Sequence, residues 1–167
     1  MLALKGFLPD EAATAALGRA LGGVIEPGMI VYLVGELGAG KTTLVRGMLR
    51  ALGHEGPVKS PTYALVELYK VSRLDLHHFD FYRFRDPREW IDAGFRESFN
   101  GRTVSLIEWP ERAAGVLPPA DLEVGLALHG EGRNVELTSR SVKGQKLLTL
   151  LANRYAFPSS ASSASSR

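Results

Sequence analysis

An α/β fold is what the sequence predicts, and three observations predict it. The apolar run Met29 to Val34 leads into the glycine loop GELGAGKT, Gly35 to Thr42, and the loop leads into a segment with helical spacing. A second apolar run, Thr103 to Glu108, ends on an acid. Paired strand-like runs with short turns stand between and after them, so strands and helices alternate along the chain.

The elements follow in order. Between Asp10 and Gly22 the apolar positions Ala13, Ala16, Leu17, Ala20 and Leu21 recur at helical spacing, with Pro9 and Asp10 as start signals. Pro27 and Gly28 turn the chain into Met29 to Val34, a run apolar enough to be a central strand covered on both faces. After the loop, Leu44, Val45, Met48, Leu49 and Leu52 mark one helix face, and Gly53 ends that helix. Ala64 to Val71 and Arg73 to Tyr82 read as a hairpin turning at Ser72. Asp86-Pro87-Arg88-Glu89 is a helix start with an acid cap, proline in the first turn and glutamate three residues on. Thr103 to Glu108 is a strand halted by Trp109-Pro110. Asp121 to Leu128 and Asn134 to Ser139 form a second hairpin around Gly130-Glu131-Gly132, and Leu147, Leu148, Leu151 and Tyr155 mark a closing helix.

The 167 residues suffice for one well-buried domain, and the 45% hydrophobic fraction is ordinary for a globular protein. Residues 1–157 are expected to form that domain. The tail 158–167, PSSASSASSR, has little apolar surface to bury and is expected to be disordered. The chain has no cysteine, which excludes disulfides and thiolate metal sites. It lacks a signal-type N-terminus, and no apolar run approaches the ~20 residues that span a bilayer. A cytoplasmic protein is expected. A net charge of +2 is too small to indicate nucleic acid by itself.

Gly35, Gly40, Lys41 and Thr42 satisfy G-x-x-x-x-G-K-[ST], with a strand before and a helix after as that motif requires. Glycines let successive amides turn inward and cradle an anion, and the helix N-terminus adds partial positive charge. Lys41, expected at the open mouth of the loop, is placed to bridge the outer phosphates. Thr42 offers its hydroxyl to magnesium. An Asn-Lys-x-Asp guanine-reading string is absent, which favours ATP over GTP.

A phosphate loop of this kind needs an acid at the end of a neighbouring strand, to hold magnesium or orient the attacking water. Glu108 ends TVSLIE and Asp80 ends LHHFD; the plain alternative for either is a solvated strand-end carboxylate. Ser60 or Thr62, in SPTY, could sense the γ-phosphate, or the segment could be a proline turn. Trp109 is either a packing aromatic or a contact residue. His77 and His78 would point to opposite faces of a strand, which argues against a two-histidine metal site. Arg83, Arg85 and Arg88 form a solvated cluster that could meet RNA or an acidic surface.

Taken together, LGELGAGKTTLVRG, KSPTYALVELY, HHFDFYR, DPREW and IEWPER, in this order, resemble the TsaE family, the small ATPase of bacterial tRNA threonylcarbamoyladenosine biosynthesis. The resemblance runs from Leu8 to about residue 153. It implies a P-loop NTPase fold with a mixed central β-sheet and flanking helices, with ATP and Mg2+ as cofactors. It further implies slow ATP hydrolysis, and action with TsaD and TsaB type proteins on the adenosine next to the anticodon in tRNAs reading codons that begin with A. Contact with tRNA would come through that complex. On the same basis the nucleotide contacts are Thr14 and the loop Gly35, Glu36, Leu37, Gly38, Ala39, Gly40, Lys41, Thr42 and Thr43. Thr42 and Glu108 would be magnesium ligands, with Asp80 near the metal or the water. Lys41, Asp80 and Glu108 are the expected catalytic residues.

A rival reading is a small-molecule kinase, which needs an arginine lid and a second pocket in line with the γ-phosphate. No long Arg-rich lid follows the loop helix. A third reading is a nucleotide-dependent binding module without turnover.

Overall fold

The computed structural model describes residues 1–71 and 73–159. Ser72, the expected hairpin turn, and residues 160–167, most of the expected disordered tail, lie outside the described residues. Among the described residues, seven strands and four α-helices follow one another as β1 (Ala3–Leu8), α1 (Glu11–Gly22), β2 (Ile30–Val34), α2 (Lys41–Ala51), β3 (Val66–Lys70), β4 (Asp75–Asp80), α3 (Arg88–Asp92), β5 (Thr103–Glu108), β6 (Leu122–His129), β7 (Gly132–Ser139) and α4 (Val142–Arg154). Short 3₁₀ turns at Phe95–Ser98 and Pro110–Ala113 complete the set.

The strands form one sheet in the order β1-β7-β6-β2-β5-β4-β3. β6, β2, β5 and β4 are parallel neighbours, while β1, β7 and β3 join antiparallel. The sheet is therefore mixed, as the resemblance implies. β2 lies between β5 and β6, where parallel α/β sheets place ligands just beyond the strand C-termini.

Alternation along the strands splits the core in two. Val104 and Leu106 of β5 join the larger cluster with Leu17, Leu44 and Leu148 from α1, α2 and α4. Ile107, on the opposite face, joins a smaller cluster with Phe79, Phe81, Phe84 and Trp90. α1 and α2 pack very closely: a Cβ on Gly18 would lie 2.2 Å from the Leu44 carbonyl oxygen, and one on Gly47 2.3 Å from that of Ala15. No side chain fits at either position.

Local chemistry explains the helix ends. Asp10 accepts from the Ala13 amide and caps α1; Ser141 accepts from the Gly144 amide and caps α4. At α3, Asp86 accepts from the Arg88 amide while Glu89 reaches back to the Asp86 amide, the reciprocal start read from the sequence. Gly53 (φ +99°) follows the end of α2.

Several boundaries differ from expectation. β3 begins two residues after Ala64, because Leu65 takes a left-handed conformation (φ +70°) and its amide bonds to the Pro61 carbonyl. Tyr155 is extended and follows α4 rather than belonging to it. β1 was not expected. It is an edge strand of six residues paired with β7, with no turn signal before it. Among the described residues, no helix is long and apolar enough to cross a membrane.

Candidate nucleotide site

The loop leaves β2 and enters α2 through Gly40, whose φ of +105° and Gly38's φ of +81° belong to the left-handed region that glycine tolerates best. α2 starts with no side-chain cap. Its first amides are thus left for another acceptor, the usual anion-binding condition at a helix N-terminus.

The next two strands bring up the acids. Asp80 and Glu108 are register partners at the C-terminal ends of β4 and β5. A cavity of about 380 Å³ is lined by Gly38, Gly40, Lys41, Thr42, Thr43, Asp80 and Glu108, together with Leu37, Glu11, Ser60, Thr62 and Arg133. Most of the expected site residues therefore share one wall. Gly35, Glu36 and Ala39 shape the loop without lining this cavity. Thr14 is fully buried behind it, its hydroxyl donating to the Asp10 carbonyl and its methyl near Gly40.

Lys41 does not stand at an open mouth. Only 5% exposed, it donates to the Gly35 carbonyl, lies 3.3 Å from Glu108 Oε1, and sits 5.0 Å from the centroid of the Trp109 ring. Trp109 itself has φ +57°, which turns the chain sharply after β5. The loop lysine is held by the protein's own acceptors, and an anion must compete with them.

Glu108 Oε2 takes a second partner, His78 Nε2, at 2.6 Å. Burial pushes the Glu108 carboxyl up, but His78 and Lys41 more than offset this and hold it below the usual carboxylate range. Asp80 goes the other way. Burial raises it and the Glu108 charge adds to the rise, against the Tyr82 amide (2.9 Å) and the Thr62 hydroxyl (3.3 Å) that favour the ionised form. Ser60 and Thr62 hydroxyls are 2.8 Å apart, so the SPTY segment reaches Asp80 through Thr62.

These groups suit a hydrated magnesium ion carried by phosphates. Among the described residues no three His, Cys, Asp or Glu converge as a complete metal cage. A hydroxyl and one or two carboxylates beside a phosphate cradle are the hard oxygen donors with which Mg2+ is held when the nucleotide supplies the rest.

Two cavity residues escaped the sequence reading. Arg133 comes from the start of β7, and a Cβ on Gly40 would lie 2.5 Å from one of its guanidinium nitrogens. Glu11, in the first turn of α1, accepts from the Thr43 hydroxyl at 3.3 Å. No local motif marks either; only the folding of β7 and α1 against the loop brings them there. His77 and His78 do fall on opposite faces, His77 against Phe79 and His78 against Glu108.

The loop between a central strand and a helix, with acids ending the neighbouring strands, defines a P-loop α/β protein. The chain belongs to the TsaE family: residues 8–135 match the family described as threonylcarbamoyl adenosine biosynthesis protein TsaE. It is similar to the tRNA threonylcarbamoyladenosine biosynthesis protein TsaE of Haemophilus influenzae, 41% identical over 158 residues that cover 92% of this chain and 100% of the relative. The protein of the same name from Bacillus subtilis is 34% identical over 155 residues, covering 93% and 90%. Among solved structures, that titled "Crystal structure of Bacillus subtilus YdiB" superposes with a TM-score of 0.79 at 27% identity, covering 91% of this chain and 95% of that one.

Proposed function

We propose that the protein binds ATP with Mg2+ at this loop, hydrolyses it, and acts in the cytoplasm as a nucleotide-dependent factor for TsaD and TsaB type partners in tRNA threonylcarbamoylation. The observation that carries the reading is the convergence of Lys41, Thr42, Asp80 and Glu108 on one cavity beside an uncapped helix start. Family membership supplies the pathway.

In this reading the amides of Gly38, Gly40, Lys41 and Thr42 hold the β- and γ-phosphates, while that of Ala39 stays on the Glu36 carbonyl inside the loop. Lys41 exchanges Gly35 and Glu108 for the outer phosphates, and the Trp109 ring keeps its ammonium on that side. Thr42 and Glu108 would hold Mg2+, which when bound neutralises phosphate charge and orients the γ-phosphate. Asp80, fixed by the Tyr82 amide, is placed to orient water. Arg133 offers a second cation at the loop.

Phosphate release by the purified protein, with ATP or GTP and with magnesium or a chelator, tests the proposal. Magnesium-dependent ATP turnover that disappears in Lys41→Ala is expected. Absent turnover would leave only a binding role, and transfer of labelled γ-phosphate to a small acceptor would overturn the reading in favour of a kinase.

A further inference from the structure

We propose that His78 is a positioning residue: it commits one oxygen of Glu108 and so keeps the other turned to the nucleotide side. The inference rests on the proposed roles of Lys41 and Glu108.

His78 is fully buried in β4, on the strand face shared with Leu76 and Asp80. Its register partner is Leu106, so Glu108, two residues further along β5, is its diagonal neighbour on the same face. A long side chain can cross that gap, and Nε2 meets Oε2 at 2.6 Å. The carboxylate oxygen accepts, so Nε2 carries the proton. Nδ1 is buried and has no partner among the described residues. The ring therefore has one polar contact, and Glu108 receives it.

An apolar residue would serve packing better. Leu76 and Leu106 border the position on these strands, and a buried imidazole with one unpaired nitrogen is worse core material than leucine. What the histidine adds is a fixed carboxylate. With Oε2 held by His78, Oε1 faces Lys41 at 3.3 Å. When Lys41 turns to an incoming phosphate, a free glutamate would swing after the ammonium as a bidentate partner and compete with it. The tethered one stays where a magnesium ion or its water can use Oε1.

The test compares His78→Leu, which fills the space without a donor, with His78→Gln, whose amide can present a donor near Nε2. Orienting partners of metal-site ligands are typically worth 10- to 100-fold. His78→Leu should slow ATP turnover at saturating nucleotide by about that factor, with ADP affinity in chelator unchanged. Calorimetry should show a smaller gain in ADP affinity on adding magnesium. His78→Gln should recover most of both. If leucine does not yield folded protein, His78→Met takes its place. Equal behaviour of the donor and non-donor variants, impaired or not, would overturn the inference. Wild-type protein without magnesium-dependent turnover would instead reject the underlying reading.

Discussion

Lys41 Nζ lies 3.3 Å from Glu108 Oε1, and the two side chains are 5% and 6% exposed. Each of the two buried charges finds its counter-charge in the other, with His78 and the Gly35 carbonyl as further partners, so the loop is self-occupied before an anion arrives. A nucleotide must offer more than this pair to draw the lysine away, and in the proposed reading its phosphates would do so by engaging the loop amides as well.

Lys41→Ala should therefore have two effects. Turnover should fall by about 10²-fold or more, the scale of losing one positioned electrostatic group. Stability should fall as well, by on the order of 3 kcal/mol, because Glu108 stays buried with His78 as its remaining partner. Phosphate release and thermal melting measure the two separately. Unchanged turnover would reject the assignment of the loop.

Asp80 and Glu108 are register neighbours whose acidities move in opposite directions. Asp80 is raised above its ordinary 3.8, so the folded state holds a proton there that the unfolded chain has released. Stability falls as pH rises from 3.8 through the raised value, and the cost persists at neutral pH. Glu108 is lowered from 4.5, so its contribution is present above 4.5 and lost as pH falls through its folded value. At pH 7 Asp80→Asn should melt no lower than wild type, and Glu108→Gln should melt lower. Both differences should shrink toward zero in acid. Melting curves taken from about pH 3 to 8 decide, and parallel behaviour of the two variants would refute the assignment.

Gly40→Ala should damage both loop and site. Its φ of +105° disfavours a side chain by about 1 to 2 kcal/mol, and the added Cβ would meet the Arg133 guanidinium at 2.5 Å. The strain acts on the free and bound forms alike and lowers stability, while the displaced Arg133 and reshaped cradle should cost nucleotide affinity about tenfold or more, one decade being 1.4 kcal/mol. Gly53→Ala is the control: its φ of +99° brings similar strain, but nothing lies within 4 Å. It should lower the melting temperature and spare affinity. Titration of nucleotide into both variants separates strain from site damage.

What the sequence disclosed was what local chemistry encodes. The loop, the caps at Asp10 and Asp86, β2, β5 and the second hairpin each carry a period or turn signal within a few residues. Gly18 and Gly47 look like ordinary helix glycines until α1 crosses α2, and Arg133 looks like an exposed hairpin residue until β7 folds beside β1. Lys41 was expected in the open because the motif says nothing of what stands in for phosphate in its absence. β1 was missed because an edge strand of six residues makes a weak period.

Gly47→Ala tests the helix crossing that supports the loop. The new methyl would press on the Ala15 carbonyl at 2.3 Å, and both helices must shift. Overpacking of this kind costs about 1 to 3 kcal/mol. At about 2 to 4 °C per kcal/mol, the melting point should fall by several degrees. An unchanged melting point would mean that α1 and α2 part more easily than their close approach implies.

The last prediction concerns what hydrolysis would change. Asp80 accepts from the Thr62 hydroxyl and the Tyr82 amide, so one carboxylate joins two loops at the rim of the cavity. Those loops carry Tyr63, 82% exposed and stacked by Arg83 at 4.8 Å, and Tyr82, stacked by Arg112 at 5.5 Å. If a γ-phosphate binds beside Asp80 as proposed, it would compete for these bonds, and the surface they hold would change with them. A ligand shifts an equilibrium only by its differential affinity for the two states, so the ATP and ADP forms should differ in affinity for the partner. Linked sites typically couple by about 1 to 3 kcal/mol, a 5- to 150-fold ratio. Calorimetry of the protein with a TsaD and TsaB type complex, under a saturating non-hydrolysable ATP analogue and then under ADP, should find tighter binding with the analogue. Thr62→Val, which cuts one of the two bonds to Asp80, should shrink the ratio while leaving the ADP-state affinity in place. Equal affinities in the two nucleotide states of the unaltered protein would remove the switch, and a ratio untouched by Thr62→Val would place its lever elsewhere than the Ser60 to Tyr63 segment.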